Sequence, residues 1–131
     1  DFFHAHLNEH ELILKKTKFN PEKDFIKLVN ICVESIKKKK KIIFFGNGGS
    51  ASDSQHLATE LTVRFSKNRK AIPALSLVTD TSTISAIAND FGFKYIFSRQ
   101  IEAIGEKGDV AIGISTSGKS SNVIEGLKSA K

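Results

Sequence analysis

Ile42-Ile43-Phe44-Phe45 breaks without transition into Gly46-Asn47-Gly48-Gly49-Ser50. An apolar run this short, bounded by glycines, has the length of a buried strand rather than a helix. The same sequence of textures returns twice. ALSLV (74–78) leads into TDTS (79–82), and DVAIGI (109–114) leads into STSGKS (115–120). A helical pattern follows each loop. Strand, small polar loop and helix in repetition define an α/β class, a doubly wound parallel sheet with right-handed crossovers and flanking helices. Ligands of such sheets bind outside the carboxyl ends of the strands, where all three loops fall.

The helices are expected at 2–16, from Pro21 to about residue 39, over 51–67, 82–88, 97–105 and 122–130, with NDFGF (89–93) as a loop. Asn20-Pro21 is a helix-start signal, Asn as N-cap and Pro at the first helical position. Phe25, Leu28, Val29, Cys32, Val33 and Ile36 recur at helical spacing behind it. In the 51–67 helix Leu57, Leu61 and Phe65 form one stripe, with Ser50 as its natural N-cap. Lys37 to Lys41 are five consecutive lysines, a charge suited to a helix C-terminus and lacking the interleaved aromatics of a base-stacking patch.

Residues 1–131 read as one domain, with N-terminal helices over 1–40 and an α/β core over 41–131. The formal charge of +6 suits an anionic partner without selecting one. Cys32 is the single cysteine, so no internal disulfide forms, and its apolar setting points to core packing. No apolar run approaches 20 residues and no signal peptide is visible, so a cytoplasmic protein is expected, with neither membrane nor nucleic acid as partner. The chain begins at Asp1, has no methionine and ends at Lys131 inside a helical pattern. A longer parent chain is therefore expected. His4 and His6 cannot share a helical face, and His6 with His10 is an isolated i, i+4 pair, so a metal site there is disfavoured.

Two stretches carry chemistry. GISTSGKS (113–120) matches G-x-x-x-x-G-K-[ST], the phosphate loop of nucleotide hydrolases, with Asp80 as the acid that would hold magnesium. That reading leaves GNGGS without a role. Ser115, Thr116, Ser117 and Ser120 place four hydroxyls in six positions before a helix start, more than a cap needs and apt for a phosphate. In GNGGSASDSQHLATEL (46–61), His56 and Glu60 lie at i, i+4 on one helix face. They can grip a zinc-like ion, or Glu60 can act as general base toward a substrate held by the glycine loop, or the two can form an ordinary surface pair. Spacing alone leaves all three open.

GNGGSASDSQHLATELTVRF, AIANDFGF, FSRQIEAIGEKGDV and GISTSGKSSNVIEGLKSAK together closely resemble the phosphoheptose isomerases, within the sugar isomerase (SIS) family of flavodoxin-like phosphosugar-binding domains. The resemblance runs from Lys41 onward in order. It implies an isomerase interconverting sedoheptulose 7-phosphate and D-glycero-D-manno-heptose 7-phosphate through an enediol, for the heptose of bacterial lipopolysaccharide or capsule. By resemblance, Asn47, Gly48 and Gly49 form the substrate loop, and Asn89 and Asp90 contact substrate. Ser115, Thr116, Ser117 and Ser120 bind phosphate, and Lys119 has no required role. His56 and Glu60 match zinc ligands, one ion per subunit, and Glu60 also matches the catalytic base and touches substrate. The family's remaining ligands, a Gln and a His that doubles as second acid/base, lie on a C-terminal helix beyond residue 131. The sheet's last strands lie there too, which would leave Asp109–Ile114 as an exposed edge. The resemblance further implies a homotetramer with sites at subunit interfaces. A relative of these enzymes that binds the bacterial replication initiator without catalysis is the alternative, disfavoured because His56 and Glu60 are both present.

Overall fold

The computed structural model describes residues 1–17 and 21–131, in two compact units, 1–33 and 34–131. The first unit holds α1 (Phe2–Thr17) and most of α2 (Pro21–Lys37). Asn20, expected to cap α2, lies outside the described residues; Pro21 does open the helix, followed by Glu22 and Asp24 in its first turn. On α1, Phe2, Leu7, Leu12, Ile13 and Leu14 are exposed, and on α2 so are Phe25, Leu28, Val29 and Val33. Of the expected α2 stripe only Cys32 and Ile36 are half-buried.

The second unit alternates strand and helix: β1 (Ile42–Gly46), α3 (Gly49–Thr62), β2 (Ala74–Ser76), α4 (Thr81–Asp90), a 3-10 turn at Phe93–Tyr95, α5 (Ser98–Ile104), β3 (Val110–Ile114) and α6 (Ser121–Ser129). The sheet is parallel, in the order β2-β1-β3. From central β1 the chain crosses one way to β2 and then back past β1 to β3. With right-handed crossovers, this reversal sends α3 to one face and α5 to the other. The packing agrees. Alternate β1 residues Ile43 and Phe45 join Leu77, Ile96, Phe97, Ile101 and Val123 in one core, while α3 packs on β1 and β2. The Phe45 and Phe97 rings lie 5.1 Å apart at 42°.

Several boundaries differ from expectation: α2 ends at Lys37 rather than near residue 39, β2 ends at Ser76 rather than Val78, and three others have visible causes. α3 stops at Thr62, so Phe65 stands beyond the helix, 80% exposed. The stop is built by Arg69, whose guanidinium donates to the carbonyls of Glu60 (2.6 Å) and Leu61 (2.8 Å), two of the groups a helix C-terminus leaves free. Ser50 is not the N-cap of α3. Gly48 is, at φ +55°, and Ser50 sits buried inside the first turn, its carbonyl accepting from Ser54 Oγ. α4 runs on to Asp90, so Asn89 and Asp90 end a helix rather than begin a loop, and Gly92 at φ +100° makes the turn behind them.

β2 and β3 are the sheet's edges. Leu77 N donates to Phe44 O and Pro73 O accepts from Ile42 N, so Ala74 and Ser76 turn outward. Their carbonyls accept from Thr62 Oγ1 (3.2 Å) and Thr79 Oγ1 (3.1 Å), which blunts that edge. β3 is the edge strand expected from sequence, though its residues are half-buried rather than exposed, and no side-chain hydroxyl closes it among the described residues.

Candidate active site

β1 lies between β2 and β3, so the chain reverses direction around its carboxyl end. In open α/β sheets that is where ligands sit. Two loops meet there. The first, Asn47–Gly49, leads into α3; the second, Ser115–Ser120, leads into α6. Gly46 lets the strand ends approach, because a Cβ there would lie 2.7 Å from the Ile114 carbonyl oxygen and 2.8 Å from Ser50 Cβ.

The second loop is a ring of hydroxyls. Ser115 Oγ lies 3.0 Å from Ser120 Oγ and 3.5 Å from Ser117 Oγ, and it accepts from Gly118 N at 3.1 Å. Ser117 Oγ accepts from Lys119 N at 3.1 Å. Thr116 is exposed. Gly118 holds φ +64°, a left-handed conformation that a side chain would strain. Ser120 is the N-cap of α6, yet its hydroxyl makes no capping bond to the helix. The serines therefore bond one another rather than the helix; Asn122 Oδ1 takes Val123 N–H in the first turn, and the rest of the helix start and its dipole suit an anion. α3 likewise begins without a side-chain cap.

The nucleotide-hydrolase pattern does not survive the geometry. Asp80, its would-be magnesium ligand, caps α4 by accepting from Thr83 N (3.0 Å) and Thr83 Oγ1 (2.6 Å). These bonds lower its pKa. Gly113, the pattern's first glycine, is a packing residue; a Cβ there would lie 2.7 Å from Val123 Cγ1. The Lys119 side chain is exposed.

Sequence reading missed Asn122, which is 2% exposed. Its Nδ2 donates to Asn47 Oδ1 and its Oδ1 accepts from Asn47 Nδ2, both at 2.8 Å. It is the second residue of α6, where Asn passes for an ordinary first-turn residue. Only the fold brings it to Asn47, 75 positions earlier.

His56 Nε2 and Glu60 Oε1 converge at 3.2 Å on α3; His56 is exposed and Glu60 half-buried. They fit a metal as two donors, one nitrogen and one carboxylate, but no third His, Cys, Asp or Glu joins them among the described residues. With Phe44, Leu57, Leu61, Phe65 and Arg69 they line a cavity of about 590 Å³. Glu60 stands eleven residues beyond Gly49 on α3, roughly 16 Å along the axis at 1.5 Å per residue. The neighbouring Thr62 bonds Ala74, the first residue of β2, so Glu60 lies toward the amino ends of the strands. The pair and the glycine loop therefore sit toward opposite ends of α3. Asn89 and Asp90 bond each other (2.8 Å) at the exposed end of α4, with no hydrogen bond to either loop among the described residues.

Residues 5–131 match the SIS domain family. The chain is 54% identical over 130 residues to the phosphoheptose isomerase of Paramagnetospirillum magneticum, covering 99% of this chain and 68% of that protein. It is 51% identical over 123 residues to phosphoheptose isomerase 1 of Campylobacter jejuni, covering 94% and 66%. The solved phosphoheptose isomerase of Neisseria gonorrhoeae superposes with TM-score 0.90 at 39% identity, over 98% of this chain and 66% of that one. The enzyme from Francisella tularensis superposes with TM-score 0.94 at 28% identity, over 99% and 68%. The chain thus spans between about half and two thirds of the length of these and other similar relatives. On this match of sequence and fold, the chain belongs to the phosphoheptose isomerase family of SIS-domain proteins.

Proposed function

We propose that this chain is the larger part of an aldose–ketose isomerase converting sedoheptulose 7-phosphate to D-glycero-D-manno-heptose 7-phosphate, in the cytoplasm, for heptose of a bacterial surface polysaccharide. The observation that carries it is the ring of serine hydroxyls before α6, whose N-cap Ser120 gives its hydroxyl to the ring and not to the helix, a site shaped for a phosphate group. Ser115, Thr116, Ser117 and Ser120 hold the phosphate, and the main chain of Asn47, Gly48 and Gly49 lines the path of the sugar, so binding energy at one end orients the other. Glu60 removes the proton from the carbon beside the carbonyl, leaving an enediolate, and returns it to the former carbonyl carbon, while the second acid/base expected beyond residue 131 gives a proton to the former carbonyl oxygen and takes the one the neighbouring hydroxyl gives up. His56 and Glu60 would hold a zinc ion completed by donors beyond residue 131, and that ion would polarise the sugar oxygens.

The distance between Glu60 and the serine ring makes the assembly part of the chemistry. A homotetramer in which Glu60 and His56 of one subunit face the loops of the next reunites them, with Asn89 and Asp90 as further substrate contacts. The exposed apolar residues of α1 and α2 support association. Glu60→Gln in the full-length protein should abolish isomerisation and leave sugar-phosphate binding intact; full activity would remove Glu60 as base. A Ser115→Ala/Ser120→Ala protein should be inactive through lost binding. Refolded together, the two inactive proteins should regain activity in mixed tetramers, and no regain would refute the shared site.

A further inference from the structure

We infer that Asn122 is a positioning residue whose reciprocal amide pair with Asn47 locks the phosphate loop to the glycine loop, so that neither can move alone. The inference rests on the isomerase reading for its kinetic consequence, though not for the coupling itself. Val123 N–H donates to Asn122 Oδ1 at 2.9 Å, which fixes the orientation of the Asn122 amide because a backbone N–H can only donate. Nδ2 of Asn122 must then face Asn47 Oδ1, and Asn47 is oriented in turn. Each amide thus gives one N–H to the other and accepts one in return.

The setting makes the pair a fastener rather than a surface contact. Asn122 is buried at the start of α6, and Asn47 immediately precedes Gly48, the residue at φ +55° that starts α3. Ser50 N and Ala51 N bond back to Asn47 and Gly48 carbonyls, so a shift of Asn47 carries the whole first turn of α3 with it. On the other side, Ser120 precedes Asn122 by two residues and is tied to Ser115. Movement at the phosphate loop is thereby handed across the crevice. Phosphate binding at one loop and placement of the reacting carbons at the other become one event, which is what orientation catalysis needs. The Asn47 side chain works by holding Asn122 rather than by gripping the sugar.

The test is a double-mutant cycle in the full-length protein with Asn47→Ala, Asn122→Ala and the combination, read by backbone hydrogen exchange and by kinetics. Two neutral hydrogen bonds correspond to a factor of roughly ten to a hundred in a local opening equilibrium. Asn122→Ala should raise exchange by that order at residues 48–51, and Asn47→Ala should do so at 118–124, with the double variant no worse than either. Both single variants should lower kcat on sedoheptulose 7-phosphate alike while KM and the affinity for inorganic phosphate stay close to wild type. Additive effects, loosening confined to the mutated loop, or a rise in KM for Asn47→Ala alone would overturn the inference. The exchange arm needs no substrate, so failure of the isomerase reading would leave it standing. Asn47→Ala covers the case in which removing the buried Asn122 prevents folding.

Discussion

Gly113→Ala adds one methyl group to the middle of the second loop's parent strand. Its Cβ would lie 2.7 Å from Val123 Cγ1, 3.1 Å from Phe45 Cε2 and 3.3 Å from Phe45 Cζ. Carbon atoms rest at roughly 3.5–4.0 Å, so the neighbours must give by up to about 1 Å. Neither can do so easily. Val123 is 3% exposed and β-branched, hence stiff at χ1. Phe45 is fully buried, and its ring also fills the space left by Gly126, where a Cβ would lie 2.8 Å from Phe45 Cε2. Overpacking of this kind costs about 1–3 kcal/mol. Loss of glycine's backbone freedom returns roughly 0.5–1 kcal/mol. The net destabilisation is about 1–2 kcal/mol, or about 3–10 °C in Tm for a chain of this size. Thermal and urea unfolding of the full-length protein would measure it. Because Val123 follows Asn122 on α6, the strain should also lower kcat on the sugar phosphate. A variant as stable as wild type would refute the packing role of Gly113. Lost ligand binding at unchanged stability would return it to a phosphate-contact role.

Lys119→Ala should leave isomerisation close to wild type, because only the Lys119 backbone N–H takes part in the loop; loss of activity would restore the nucleotide-type reading. Asp109 gives a pH prediction. Its side chain, 7% exposed, accepts from Lys41 N (3.0 Å) and Glu106 N (2.8 Å) and pairs with Lys41 Nζ at 2.6 Å. Burial opposes its charge, but the Lys41 and Glu106 bonds outweigh burial and its pKa is lowered. The folded value lies below the unfolded one, about 3.9, so the stabilisation is complete above that pH and is lost as pH falls through the lowered value. Asp109→Ala should cost roughly 3 kcal/mol at pH 7, with the gap to wild type closing at pH 3 in urea unfolding; an equal gap at both pH values would refute the ion-pair account.

The architecture was legible because strand length and loop chemistry are local. The apolar runs at 42–45, 74–78 and 109–114 announced three strands, though β2 stops at Ser76, and the reversal of direction around β1 follows from where those strands pair. Element ends were less legible, because tertiary partners decide them. Hydrophobic spacing carried α3 on to Phe65, but Arg69 folds back onto the carbonyls of Glu60 and Leu61 and stops it at Thr62. Ser50 had the chemistry of a cap. The close approach of Gly46 to Ile114 instead drew Ser50 into the interior and left the cap to a glycine.

The site divides in the same way. Serines at 115, 117 and 120 are neighbours in sequence and find one another in space. Asn122 was invisible because its partner lies in another loop. Glu60 shows the converse limit, since a motif places residues in sequence order and does not by itself fix a common pocket. GNGGS and Glu60 sit in one continuous stretch, yet a straight helix of fourteen residues carries them to opposite ends of the sheet. A helix can aim a side chain at a loop before it or at a neighbour beside its far end, but not at both. Continuity of 46–61 in sequence therefore does not by itself put Glu60 beside the glycine loop, and the shared site proposed above is one way to bring the two together.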